Sequence, residues 1–473
     1  MSMSKKPNIL FIFADEWRQQ ATGYTGDTNC RTPILDALAG ESVNFVNAVS
    51  GCSVCCPYRA SLMTGQYPLT HGVFINDVEL SPNCYSVANA FNDGGYTTGY
   101  IGKWHLYGSP DGAYGRRRAV VPREYQLGFD YWKGFECCHS YNDSPYFFND
   151  DPTQRMWEGY DAFSQSRDAA DYIQQHADGE SPFMLMLSWG PPHFPLDSAP
   201  PEYQELYEDA EIELQPNVPE EHRDKAVSRL RGYYAHIAAL DDCLKIVLDS
   251  IRDAGAEDNT IVVFTADHGD MMQSQGLSTK LFPFDESIRV PFLVRHPGLG
   301  GDGQKEVSVP IDSPDIMPTL LGLAGLPVPA SVEGTDWSSL VMGDENAKGD
   351  EAALLIMASE FTELCRNGMR AYRGLRTDRY TYVRDSDGPW LLFDNQADPY
   401  QMRSLIDEPE AKELQQQMES RLQARLDAMG DEFLDGPAYL EQAGFLHYRE
   451  VQNIPKSREW VSPWCRDQKS PGA

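Results

Sequence analysis

Short apolar runs recur along the first half of the chain, and polar or charged residues follow each one at once. Residues 8–13 run into Asp15 and Glu16, and residues 96–101 run into Gly102, Lys103, Trp104 and His105. Residues 183–187 lead to Trp189 and His193, and residues 260–264 lead to Asp267 and His268. Runs of this length without polar alternation predict strands buried on both faces, as in a mostly parallel sheet. In open sheets of that kind the ligand crevice lies beyond the carboxyl ends of the strands. Four segments far apart in sequence are therefore expected to deliver their polar residues to one place.

Helical spacing is clearest over 226–254, where Tyr233, Ile237, Leu240, Leu244, Leu248 and Ile251 share a face and Gly255 marks the stop. His236 lies inside it and reads as a structural residue. Ser313, Pro314 and Asp315 open a second helix that stops near Gly325. Residues 332–352, rich in Gly, Asp and Ser, read as a linker. Beyond it, residues 371–375, 380–384 and 391–393 predict short strands, and 408–429 a charged helix that covers them. The expected architecture is α/β. A large domain over 1–345 has a mostly parallel mixed central sheet flanked by helices. A small α+β C-terminal domain with an antiparallel sheet occupies 346–438, and an aromatic-rich tail occupies 439–473. That tail carries Phe445, His447, Tyr448, Trp460 and Trp464. Aromatic tails seldom stay free in water, so it is expected to fold back over the body or to join a homo-oligomer.

Composition narrows the partners. A formal charge of -32 argues against nucleic acid and against anionic membrane surfaces. No apolar run approaches the length of a bilayer span. The run at 9–13 is too short for a signal segment and is followed by Asp15 and Glu16, so the expected location of the chain as given is cytoplasmic. The ten cysteines have neither the density nor the spacing of a disulfide scaffold. Cys52 and Cys55 have the spacing of half a zinc site, with no second pair to complete it, and Cys137 and Cys138 read as ordinary thiols.

Residues 55–65 carry the most chemistry. Pro57 suits the first turn of a helix and Gly65 suits its stop. Cys55 then sits at a helix N-terminus, where free N–H groups favour an anion. Arg59, four residues on, shares its face and offers a fixed cationic fork.

Cys55, Pro57 and Arg59, with Thr64 and Gly65 after them, resemble the signature of type I sulfatases. The resemblance extends from Pro7 to about Leu405: through residues 8–26, through 95–106 around Lys103 and His105, through 267–291, and through 392–399. It implies a sulfuric ester hydrolase of the alkaline phosphatase superfamily in which Cys55 is converted to formylglycine by a formylglycine-generating enzyme. It further implies that Arg59 and Lys103 hold the formylglycine, that His105 moves its proton, and that His193 and Lys280 bind the sulfate and assist the leaving oxygen. Asp15, Glu16, Asp267 and His268 fall at the family's metal positions, with the modified Cys55 as a fifth ligand. Hard oxygen donors make Ca2+ the expected single divalent ion. His268 stands where sulfatases commonly have asparagine and brings in Mn2+ or Zn2+.

Other positions are secondary. His71 is expected to be structural, and Asn76 and Asp77 to border the substrate pocket. Tyr58 is bulkier than the family's usual residue there, and Gln275 replaces a histidine found in many relatives. The substrate is expected to be a small anionic ester, preferably a sulfated carbohydrate, because Trp132, Phe135, Tyr141, Tyr146, Phe147, Phe148, Trp157 and Tyr160 offer faces for sugar rings. Two rivals stand beside this reading. One is a phosphonate monoester hydrolase or phosphodiesterase of the same superfamily. The other is a non-catalytic binder of sulfated glycans.

Overall fold

The computed structural model describes residues 6–108, 117–299, 305–344, 347, 349 and 351–451. The first apolar run forms β1 (Asn8–Asp15), buried along its whole length. In chain order there follow β2 (Val43–Phe45), β3 (Thr97–Lys103), β4 (Tyr131–Phe135), β5 (Pro145–Phe148) and β6 (Asp151–Met156). Next come β7 (Phe183–Pro192), β8 (Thr260–Ala266), β9 (Phe292–Arg295) and β10 (Lys305–Val307). These make one sheet in the order β10-β2-β9-β8-β1-β7-β3-β4-β5-β6. Its centre, β8-β1-β7-β3, is wholly parallel. Ala14 pairs with Ala266 on one side and Trp189 on the other, and Gly102 pairs with Ser188. The four predicted strands therefore end level, and their polar followers emerge on one edge.

Helices cover the sheet. Arg223–Asp253 is the long one, with Tyr233, Ile237, Leu240, Leu244 and Ile251 buried, and Ser313–Leu323 is the second. His236 is structural, as expected: its Nδ1 lies 2.6 Å from the Tyr160 hydroxyl and its Nε2 3.1 Å from the Pro195 carbonyl. His71 is likewise fixed between the Ser61 hydroxyl and the Val73 N–H.

A second sheet is antiparallel: β11 (Ala352–Met357), β12 (Tyr372–Thr377), β13 (Tyr380–Asp385) and β14 (Gly388–Asp394), in that order. Strand β11 lies beyond the three strand-like pieces read from the sequence. Its alternate residues serve two cores. Ala352 and Leu354 face the small core with Leu422 and Leu426 of the covering helix Lys412–Met429, while Ala353, Leu355 and Met357 join the main core. The linker reading of 332–352 is corrected in part. Trp337 is buried, its backbone N–H bonds Thr319, and Ser338–Val341 is helical.

Two more expectations change. The aromatics of 132–160 do not form an open platform. Trp132, Phe135, Tyr141, Phe147, Trp157 and Tyr160 are buried, because β4–β6 finish one side of the sheet and need bulk to cover it. The first part of the tail folds back, with Tyr439 and Phe445 packed on Phe74 at ring-centroid distances of 6.2 and 6.0 Å. Trp460 and Trp464 lie outside the described residues.

A buried ion pair joins β12 to the short helix Asp285–Ile288 of the large domain. Arg376 Nε and Nη2 each lie 3.1 Å from the Asp285 carboxylate, which also receives Arg289 at 3.2 Å. Removing one partner of a buried pair strands the other's charge. Asp285→Asn is expected to lower unfolding stability by about 3–5 kcal/mol, measured by denaturant titration. A loss within experimental error would mean that water reaches Arg376.

Candidate active site

The helix Cys55–Thr64 begins on Cys55 and ends on Gly65, whose φ of 67° and N–H bond to the Ser61 carbonyl close it. Cys55 is thereby aimed across the level ends of β1 and β8. Its Sγ lies 3.7 Å from Asp15 Oδ1 and 3.2 Å from His268 Nε2. Asp267 Oδ1 accepts the Glu16 N–H at 3.0 Å, locking the two strand exits together. Gly269 is required in this turn: a Cβ there would sit 2.0 Å from the Glu286 carbonyl.

Cations surround the acids. Arg59 Nη2 lies 3.3 Å from Asp15 and 3.0 Å from Asp267, while its Nη1 donates to the Lys103 carbonyl and the Ser188 hydroxyl at 2.8 Å. Lys103 Nζ pairs with Asp15. Lys280 Nζ and His193 Nε2 lie 3.4 and 3.2 Å from Glu16 Oε2. Burial and Asp15 push the Cys55 thiol up, but Lys280, Lys103 and His268 outweigh them and hold it well below its ordinary value. Burial, Lys280 and His139 keep His193 neutral, well below the usual imidazole range.

The donors fit a cation. One atom from each of Asp15, Cys55, Asp267 and His268 lies within 4.8 Å of the others, and all four residues are buried. Asp15, Glu16 and His193 form a second, overlapping group. Both Glu16 oxygens are buried without a hydrogen bond, although His193 and Lys280 are near in distance. Buried carboxylates in this state call for a positive partner. Oxygen donors with one imidazole suit a divalent ion.

Comparison with known proteins decides the family. Residues 7–326 match the sulfatase family model, and residues 274–428 match that of the N-sulphoglucosamine sulphohydrolase C-terminal region. The chain belongs to the sulfatase family. It is 43% identical over 454 residues to an ulvan-active sulfatase of Formosa agariphila, covering 95% of this chain and 87% of that one. It is 29% identical to an endo-4-O-sulfatase of Bacteroides thetaiotaomicron, covering 93% and 94%. A solved sulfatase from Bacteroides fragilis superposes with a TM-score of 0.81 at 30% identity, covering 92% and 98%. A phosphonate monoester hydrolase of Agrobacterium radiobacter shares the fold, with a TM-score of 0.71 at 22% identity and coverage of 89% and 96%. The enzyme is a sulfuric ester hydrolase.

The sulfatase pocket gathers the residues read from the sequence in one buried place: Asp15, Glu16, Cys55, Arg59, Lys103, His105, His193, Asp267, His268 and Lys280. Glu16 stands with His193 and Lys280, beside the four-donor group and not within it. Tyr58 is buried, and Gln275 turns away to bond the Tyr400 and Gln401 carbonyls at 3.0 Å. Asn76 Oδ1 accepts the Cys56 N–H at 3.1 Å.

Asp77, expected to border the substrate pocket, reaches the site, and three residues not expected there do so too. Asp77 Oδ1 lies 3.4 Å from His105 Nε2, and Arg117 grips the same carboxylate at 3.1 and 2.9 Å. Cys137, read as an ordinary thiol, lies against His105 and Lys103, which help hold it well below its ordinary value against burial. The His139 ring lies 4.3 Å from the His193 ring. Arg117 comes from a loop, while Cys137 and His139 follow the end of β4, which lies level with Lys103 and is not among the strands read from the sequence. Backbone strain is a signal visible solely in the structure: Glu16, Asp77 and His105 have φ of 69°, 61° and 56°.

Asp77 shapes His105 electrostatically. Burial would lower the imidazole, but Cys137, Cys56 and Asp77 together raise it well above its ordinary value. Asp77→Asn removes one of the raising charges. The limb of the kcat/KM profile set by His105 is expected to move to lower pH. An unmoved limb would show that Asp77 does not face the working imidazole.

Proposed function

We propose that this sulfatase hydrolyses sulfate esters of a carbohydrate, with Cys55 matured to formylglycine and one divalent cation in the pocket. The placement of Cys55 carries the mechanistic half: a helix-terminal thiol beside Asp15 and His268, with Lys103 and Lys280 close enough to hold it as an anion. The carbohydrate half rests on the ulvan-active relative, which aligns over 95% of this chain.

Asp15, Asp267 and His268 are the residues that would hold the cation, with Glu16 at its flank. Such an ion supplies charge stabilisation at sulfate oxygens. Formylglycine, once made, supplies the attacking oxygen at position 55. The remaining tasks fall to this chain's own side chains. Arg59, spanning Asp15 and Asp267, fixes both carboxylates and cannot swing toward solvent. Lys103 and Lys280 present Nζ to the same face and stabilise negative charge there. Neutral His193 and charged Lys280 flank Glu16, where Lys280 Nζ can donate a proton to the departing ester oxygen. His105, anchored by Asp77, is the imidazole that moves a proton on the opposite side of the pocket.

Turnover of 4-nitrophenyl sulfate, 4-nitrophenyl phenylphosphonate and a sulfated ulvan oligosaccharide tests the proposal. The expected order of kcat/KM places the sulfated oligosaccharide first and the phosphonate last. Faster turnover of the phosphonate would overturn the sulfate preference, and no release of sulfate from the saccharide would overturn the carbohydrate half.

A further inference from the structure

Arg18 follows the strand exit of β1 by three residues, yet its side chain takes no part in the pocket described above. It is 2% exposed. Its backbone N–H donates to the Tyr233 hydroxyl, its Nε is buried without a hydrogen bond, and Glu286 and Asp27 act on the guanidinium through space. A buried cation in that state is unfavourable, and arginine cannot shed its charge.

The side chain lines a cavity of about 560 Å3 between the turn at 25–29, the segment 213–218 and Tyr400. The floor is buried, with Ser274 at 1% and Glu286 at 3%, while Thr25, Thr28, Glu213 and Tyr400 at the rim are exposed. Five lining residues carry a buried side-chain nitrogen or oxygen without a hydrogen-bond partner: Arg18, Gln20, Gln215, Ser274 and Arg289. The three acids of the lining are in the opposite condition. Asp27 accepts from Tyr234 at 2.7 Å, Glu286 from Asn217 at 2.6 Å and Glu213 from Thr28 at 3.3 Å. Arg289 is paired with Asp285, so Arg18 is the lining cation without an ion pair in contact, with Glu286 and Asp27 acting on it only from a distance.

The complement of this lining is a molecule with an oxyanion for Arg18 and hydroxyl groups for Ser274 and the two glutamine carbonyls. A volume of this size matches small-ligand sites. We propose that the cavity is a second carbohydrate site, which takes an acidic sugar unit with its oxyanion against Arg18. The sugar half of this inference rests on the carbohydrate reading above; the oxyanion half rests on the cavity alone.

Calorimetric titration of the full chain carrying Cys55→Ala, which does no chemistry, tests the site with D-glucuronate, D-glucose and inorganic sulfate as probes. Glucuronate is expected to bind at one site. Arg18→Met should weaken it at least tenfold and Ser274→Ala about threefold, while Lys280→Ala, in the catalytic pocket, leaves it unchanged. Should Arg18→Met fail to fold, Ser274→Ala and Gln215→Ala carry the test. Unchanged glucuronate affinity in the cavity variants, or its loss in Lys280→Ala, would overturn the site. Glucose binding as tightly as glucuronate, or inorganic sulfate doing so in a manner that Arg18→Met weakens and Lys280→Ala does not, would overturn the acidic sugar as its ligand. Sulfate release from saccharides is measured on the unsubstituted enzyme, so failure of that reading and failure of this one are separate results.

Discussion

Replacing Cys55 with alanine is expected to lower turnover of an aryl sulfate by a factor on the order of 10^4–10^6, the scale seen when a covalent nucleophile is deleted. The fold should survive. Cys55 is the first residue of its helix, so alanine there removes no hydrogen bond within the helix. The change also takes a thiol from beside Asp15 and His268 without altering the Arg59 and Lys103 contacts that hold the acids. Cys56→Ala is the matched control. Its Sγ accepts the Asp77 N–H at 3.3 Å and sits in the core, so its loss should cost stability and only modestly slow turnover. Mass spectrometry of the 55-containing peptide gives an independent reading, because conversion of the thiol to the aldehyde lowers the mass by about 18 Da in this chemistry. An active Cys55→Ala enzyme with an inactive Cys56→Ala enzyme would place the nucleophile one residue later.

Much of this fold could be read from the chain because its central strands are apolar on both faces and stop on charged residues. A strand buried on both sides leaves no polar alternation, and its end is marked where the chain meets the crevice. That is why β1, β3, β7 and β8, with Asp15, Lys103, His193 and Asp267 beyond them, were legible. Strand β11 was not, because Ala352–Met357 serves two cores at once and follows a segment whose glycines and acids look like a linker. The aromatics of 132–160 misled for the opposite reason. Composition shows bulk, but whether the bulk covers a sheet or meets solvent depends on β4–β6 pairing at one side of the sheet.

The site divides the same way. Residues placed by a strand end or by the Cys55 helix follow from local pattern plus family resemblance. Asp77 is expected at the pocket border, whereas Arg117 depends on a loop crossing in space, and Cys137 and His139 follow β4, whose short run does not read as a strand. Arg18 is a further case: no sequence pattern marks it, and only packing places it, two residues after Glu16, on a separate cavity.

Chelation is expected to abolish turnover while leaving the enzyme folded. Asp15, Glu16 and Asp267 are three buried carboxylates, and Arg59, Lys103 and Lys280 stand against them within one pocket. Those cations still stand against the acids when the metal leaves, so its loss should not open the structure. The stability change is instead a matter of mass action. A cation present at 100 times its Kd stabilises the folded state by about 2.7 kcal/mol. With about 2.1 cal/mol/K of unfolding entropy per residue, a chain of 473 residues should then lose about 3 °C of Tm. Asp267→Ala should lose the metal as well, and it should fall further in Tm than the chelated enzyme, because Arg59 loses its 3.0 Å partner and keeps only Asp15. Calcium, manganese and zinc added back singly would identify the ion that restores rate, with metal content measured by plasma emission spectroscopy. Full turnover in protein shown to be metal-free would remove the cation from the reaction, and the unbonded Glu16 oxygens would need another partner.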